Sequence, residues 1–232
     1  MDRQSNSKVS GIQAQIKNLS TFLFDLDGTL IDSSKDIVIA VNYTLKELGL
    51  PQKSEEEIIK HVGYGGKKLI QGLIGSINPD LVDSGVEIFK KFYFENPVRH
   101  TKLYPGVLET FKILKNKNAK IGIVTNKYEN ISIKILNKLG IVKYIDIIVG
   151  GDTTSKRKPD PDPILFAVNN LEANLEKTVM IGDSEVDIQA GKRSGVKTIL
   201  VLHGFGDKNK SLNEKPDIVV ENFQHLFKLI SF

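Results

Sequence analysis

The chain has no cysteine among its 232 residues, which excludes a disulfide scaffold, thiol catalysis and any zinc or iron–sulfur centre held by sulfur. Histidine is scarce: His61, His100, His203 and His225 show no metal-ligand spacing. No apolar run approaches the roughly 20 residues that cross a bilayer. The first twenty residues lack the apolar stretch of a secretory signal, so the cytoplasm is the simplest expected compartment. A long basic tract is missing too. The 32 basic and 28 acidic residues leave a net charge of +4, with lysines spread singly or in short clusters. That mild excess only weakly suggests nucleic acid. No nucleic-acid or membrane partner is expected.

What is present suffices for a core. Hydrophobic residues make up 40% of the chain and charged ones 26%, which is not a disordered composition. At about 150 residues per domain the length corresponds to roughly one and a half domains.

Thr21-Phe22-Leu23-Phe24 is a short apolar run followed at once by Asp, Gly and Thr, the pattern of a buried strand ending in a polar loop. From Ser33 the spacing becomes helical, with Ser33 and Asp36 reading as a capping box and Gly49 and Pro51 as the stop. Helical spacing, broken by glycines, continues to about Asn96. Strands then alternate with helices, predicted at Lys120–Val124, Tyr144–Val149, Thr178–Ile181, Lys197–Leu202 and Asp217–Val220. Asn126 with Glu129, Asp162 before Pro163, and Ser184 with Asp187 read as helix starts. The alternation predicts a doubly wound, mostly parallel α/β sheet of Rossmann-like type. The helical stretch interrupts it. The expected division is an N-terminal extension (1–20), an α/β core (21–32 and 101–232) and a helical cap subdomain (33–100).

In such sheets the ligand lies beyond the carboxyl ends of the strands. There the chain places Asp25 and Asp27, then Thr125-Asn126, then Lys158, then Asp183 and Asp187. If the backbone stays extended, Asp25 and Asp27 point the same way about 6.6 Å apart. Their mutual repulsion, about 2.5 kcal/mol at an effective dielectric of 20, calls for a cation or a proton. All-oxygen ligation favours Mg²⁺, which binds readily beside substrate phosphate. Thr125, Asn126 and Lys158 supply the donors and the positive charge that a phosphoryl group requires.

Four blocks stand in one order: Phe24-Asp25-Leu26-Asp27-Gly28-Thr29-Leu30, Thr125-Asn126, Lys158-Pro159-Asp160-Pro161 and Gly182-Asp183-Ser184 with Asp187. Together they resemble the haloacid-dehalogenase-like phosphohydrolases, over about residues 21 to 225. Tyr93-Phe94-Glu95-Asn96-Pro97, Leu103-Tyr104-Pro105-Gly106-Val107 and Gly150-Gly151-Asp152-Thr153 narrow the resemblance toward the phosphoglycolate phosphatases within them. It implies Asp25 as nucleophile and Asp27 as general acid and base. Mg²⁺ would be held by Asp25, Asp27 (through its carbonyl) and Asp183, with Asp187 orienting the shell. Thr125, Asn126 and Lys158 would bind phosphate.

The implied reaction is hydrolysis of a small phosphomonoester, 2-phosphoglycolate first, through an aspartyl-phosphate, by a monomer or homodimer. Phosphosugar mutases share the motifs and the cap, and phosphatases of nucleotides, pyrophosphate or sugar phosphates are further alternatives. A non-catalytic phosphate- or nucleic-acid-binding module is a distant third. In the cap, His61 to Lys68 reads equally as a specificity loop or as an interhelical turn. Lys156 and Arg157 read as surface charges.

Overall fold

The computed structural model describes residues 13, 16–75 and 79–231. Most of the N-terminal extension therefore lies outside the described residues. Its architecture is a six-stranded sheet in the order β5-β4-β1-β6-β7-β8, with every pairing parallel. The strands are β1 (Thr21–Phe24), β4 (Lys120–Val124), β5 (Ile147–Val149), β6 (Thr178–Gly182), β7 (Lys197–Val201) and β8 (Ile218–Val220). Two further strands, β2 (Ile31–Asp32) and β3 (Lys102–Leu103), form a separate antiparallel pair. The parallel α/β reading of the sequence holds.

Side chains alternate across the sheet, as the pleat requires. Phe22 and Phe24 of β1, with Val179 and Ile181 of β6, face one layer. Leu23 and Met180 face the other, against Ile164, Val168 and Ala190. On the first face Phe24 meets Phe111 at 5.2 Å and Phe223 at 5.8 Å between ring centroids. These rings pack the central strand against two helices on that face and so fix where its carboxyl end emerges.

Among the described residues between β2 and β3 the regular elements are all helices: α1 (Ser34–Glu47), α2 (Glu55–Ile59), α3 (Gly66–Ile74) and α4 (Pro79–Glu95). Val82, Val86, Phe89 and Tyr93 are buried along α4, a spacing of 4, 3 and 4 that makes one face. Ile37, Ala40, Val41, Thr44 and Leu45 are the buried face of α1. Tyr43 and Phe92 stack at 4.1 Å and tie the two helices together. The β2–β3 pair, Ile31 opposite Leu103 and Asp32 opposite Lys102, is the double crossing between these helices and the sheet.

Three local expectations are corrected. The Ser33 side chain makes no cap bond to α1; its hydroxyl donates to Asp27, while Asp36 binds the returning chain at Arg99–Thr101. The strand expected from Tyr144 starts at Ile147, because Val142–Tyr144 closes into a 3₁₀ turn. The helix after β4, α5 being Val107–Asn116 and α6 Glu129–Lys138, is capped at Tyr128 and not at Asn126.

Candidate active site

Asp25 directly follows β1, Thr125 follows β4 and Asp183 follows β6. These strands are hydrogen-bonded neighbours, so parallel pairing alone brings the three residues to one edge. Lys158 reaches the same place from the long loop after β5. Its ammonium lies 2.8 Å from Asp25 Oδ1 and 2.6 Å from Asp187 Oδ1, with 3% of the residue exposed. Asp187 divides its two oxygens. One takes Lys158, while Oδ2 accepts from the Ser184 amide at 3.1 Å and hydroxyl at 2.6 Å. It is a helix cap and a member of the cluster at once.

Asp183 Oδ1 accepts from the Thr29 hydroxyl at 2.9 Å, and Oδ2 from the amides of Phe205 at 2.7 Å and Gly206 at 3.0 Å. One carboxylate oxygen from each of Asp25, Asp183 and Asp187 lies within 4.8 Å of the others. Burial pushes the Asp183 carboxyl up to about 8, reinforced by Asp187 and Asp25 against the pull of its donors. Burial also raises Asp25, to about 6, with Lys158 opposing and Asp187 adding. Burial disfavours the ammonium of Lys158 as well, yet the two aspartates outweigh it and its pKa is raised. Three buried carboxylates face one lysine, so the cluster is short of positive charge. Its hard, all-oxygen donor set suits Mg²⁺.

The extended-chain picture of Asp25 and Asp27 fails because β1 ends at Phe24 and Gly28 turns the chain at φ +83°. Asp25 faces Lys158. Asp27 is held by Lys127, whose ammonium lies 2.9 Å from Oδ1 and 2.8 Å from Oδ2, and by the Ser33 hydroxyl at 2.6 Å. The same ammonium donates to the Tyr93 hydroxyl, from α4, at 3.0 Å. Burial disfavours charge on Lys127, but Asp27 more than offsets it and raises its pKa; burial pushes Tyr93 up to about 12. Lys127 stands outside the four sequence blocks. Its position directly after Thr125-Asn126 at a central strand end was the available signal.

Asn126 is buried and uses both amide hydrogens, donating to the carbonyls of Gly63 and Lys158 at 2.9 Å each. As placed, this side chain fastens the inserted helices to the Lys158 loop and has no amide hydrogen left for an anion. Thr125 carries a buried hydroxyl whose oxygen accepts from the Lys127 amide at 3.3 Å. A Cβ at Gly151 would overlap the Asn126 carbonyl, so this close approach requires glycine.

Arg157, read as a surface charge, donates to the Gly151 carbonyl and sits 5.8 Å from the Tyr128 ring centroid. Lys156 is exposed and pairs with Asp160 at 3.3 Å. The Tyr64 hydroxyl donates to Glu185 across the seam. Lys67 pairs with Asp83 at the surface, and Lys68 stands 5.8 Å from the Tyr64 ring centroid. Neither lysine lines the inner cleft, a space of about 40 Å³ between the inserted helices and the sheet. Asp25, Asp27, Thr125 and Lys127 line it from the sheet side, and Leu69 and Phe89 from the helices. No helix among the described residues is long and apolar enough to cross a membrane.

Residues 22–201 match the family model of the haloacid dehalogenase-like hydrolases. A phosphoglycolate phosphatase of Aquifex aeolicus is 42% identical, with 91% of this chain and 97% of that protein covered. A second, from Nitrosococcus oceani, is 32% identical over 93% of this chain and 98% of the relative. In three dimensions the chain is similar to a predicted phosphoglycolate phosphatase from Haemophilus somnus 129pt. The TM-score is 0.83 at 27% identity, covering 91% of this chain and 98% of the other. With the motifs at the ends of adjacent strands and the family match over most of its length, the chain belongs to the haloacid dehalogenase-like hydrolases and is a phosphatase among them.

Proposed function

We propose that the chain hydrolyses a small phosphomonoester, 2-phosphoglycolate first, in a Mg²⁺-dependent reaction through an aspartyl-phosphate on Asp25. The observation that carries this reading is the Lys158 bridge between Asp25 and Asp187, beside Asp183 at the carboxyl edge of the sheet. The names of the relatives support the substrate.

Asp25, with its pKa near 6, is mainly ionised at neutral pH and supplies the nucleophilic oxygen. Its oxygen forms a bond to phosphorus as the ester P–O bond breaks, and the leaving oxygen takes a proton from Asp27. Lys158 draws charge from the phosphoryl oxygens during transfer, and the Thr125 hydroxyl orients one of them. Asn126 contributes by holding the Gly63 and Lys158 loops in register. In the second half, Asp27 takes a proton from water as water attacks the phosphorus, releasing phosphate and restoring Asp25. Mg²⁺ would be held by Asp25, Asp183 and the Asp27 carbonyl, with Asp187 alongside, and would supply charge neutralisation that lets the anionic nucleophile approach an anionic ester.

Phosphate release from 2-phosphoglycolate tests the reading. It should require Mg²⁺ and fall to background in Asp25→Asn. Undiminished turnover in that variant rules out the covalent route, and an isomeric ester in place of free phosphate indicates a mutase.

A further inference from the structure

Lys127 is the one lysine or arginine among the described residues that line the inner cleft. We propose that it determines substrate specificity by receiving a second anionic group, a carboxylate, carried a short distance beyond the phosphoester oxygen. This rests on the phosphatase reading above and names the residue that reads the far end of the substrate.

Three observations converge. The first is position. The ammonium lies 2.8 and 2.9 Å from the oxygens of Asp27, the group that serves the leaving oxygen. Whatever is bonded to that oxygen therefore extends toward Lys127. The second is the wall around it. Val62, Leu69, Phe89 and Ile131 line the cleft, and a carboxylate placed among them without a cation would be strongly disfavoured. His61 is the other basic group at the cleft, and its ring packs against Gly72 of α3. The third is size. The cleft is small, about 40 Å³, which favours a short tail over a bulky one.

Lysine has three donors, and here two go to Asp27 and one to Tyr93. An incoming carboxylate thus competes with Asp27 for the same ammonium. Tyr93, protonated with its pKa near 12, accepts from Lys127 and keeps its own hydrogen to donate to the newcomer. Because Tyr93 comes from α4 and Lys127 from the end of β4, the recognition group is complete only when the inserted helices sit against the sheet.

The test compares 2-phosphoglycolate with ethyl phosphate, which has the same two-carbon skeleton and no carboxylate, using the full chain with Mg²⁺. The unaltered protein should prefer 2-phosphoglycolate in kcat/KM by about 100-fold. Lys127→Met should reduce that preference by about 30-fold or more, as expected for loss of a desolvated charge partner, while Lys127→Arg keeps most of it. A Lys127→Met variant that loses both activities in equal proportion overturns the proposal, since a residue that only positions Asp27 would do that. If Lys127→Met fails to fold, the preference of the unaltered protein and of Lys127→Arg still decides. Equal turnover of the two esters overturns the role of Lys127 and leaves the phosphatase reading standing. Turnover of neither overturns both.

Discussion

Thr101 Oγ1 donates to Asp36 Oδ2 at 2.6 Å, joining α1 to the strand by which the chain returns to the sheet. The same oxygen accepts from the amides of Arg99 at 2.9 Å, His100 at 3.0 Å and Thr101 at 2.8 Å. One carboxylate thus gathers three successive amides that would otherwise be unpaired where the inserted helices meet the core. Burial works to raise the Asp36 pKa, but the Thr101, His100 and Arg99 donors outweigh it and hold the group below its ordinary 3.8.

Asp36→Asn should destabilise the protein by about 2 kcal/mol, because the amide turns one acceptor edge into a donor facing N–H groups. The sign with pH follows from the lowered pKa. The stabilising contribution is complete above 3.8 and is lost as pH falls through the lower folded value. Urea unfolding from neutral to acid pH should show a shallower acid decline in Asp36→Asn than in the unaltered protein. Parallel declines would mean that Asp36 carries little of this linkage.

Lys158→Met should lower kcat for phosphate release by about 10³-fold, the scale of losing a principal charge stabiliser. It also leaves Asp25 and Asp187 buried without their ammonium, so the fold should be weakened in the absence of metal. Added Mg²⁺ should raise the Tm of this variant more than that of the unaltered protein. An equal rise would show that the lysine does not share the charge of the cluster.

The strand ends were legible because Thr21–Phe24, Lys120–Val124 and Thr178–Gly182 are short apolar runs that stop at polar residues. Parallel pairing then brings Asp25, Thr125 and Asp183 together with no further information. The turn after Phe24 was not legible, because a left-handed glycine directly after the second aspartate decides whether the pair stays extended. Ser33 and Asp36 have capping-box spacing, but longer-range partners, Asp27 and residues 99–101, outbid the local ones. Lys127 and Asn126 illustrate the same limit. Their partners, Tyr93 and Gly63, are 34 and 63 residues away in sequence, on the inserted helices and the loop between them, so only the folded arrangement reveals the contacts.

Metal binding should couple to pH through Asp183. Its pKa, raised from 3.8 to about 8 by burial with Asp187 and Asp25, means that the folded protein holds a proton there that the unfolded chain releases. Without metal, this group's contribution to stability should therefore decline as pH rises from about 4 toward about 8. Mg²⁺ competes with that proton, so the gain in Tm on adding Mg²⁺ should grow over the same window. Thermal unfolding with Mg²⁺ or with EDTA across that range checks it, and a gain independent of pH would contradict it.

Asp183 is enclosed by glycines, and this makes a separate prediction about the metal. A Cβ at Gly204 would overlap the Asp183 side chain, one at Gly206 would overlap its backbone, and one at Gly28 would overlap its carboxyl group. Gly28 also needs its positive φ of +83°, so Gly204 isolates the packing effect more cleanly. In Gly204→Ala the methyl group must displace the carboxylate from the amides of Phe205 and Gly206. The apparent affinity for Mg²⁺ should fall by about tenfold or more, the scale on which displaced supporting groups weaken a metal site. KM for 2-phosphoglycolate at saturating Mg²⁺ should change much less, because Lys158, Thr125 and Lys127 lie on other loops. Titration of activity against Mg²⁺, followed by substrate titration at saturating metal, separates the two effects. A variant with unaltered Mg²⁺ dependence would show that the Asp183 carboxylate can shift without consequence for the metal.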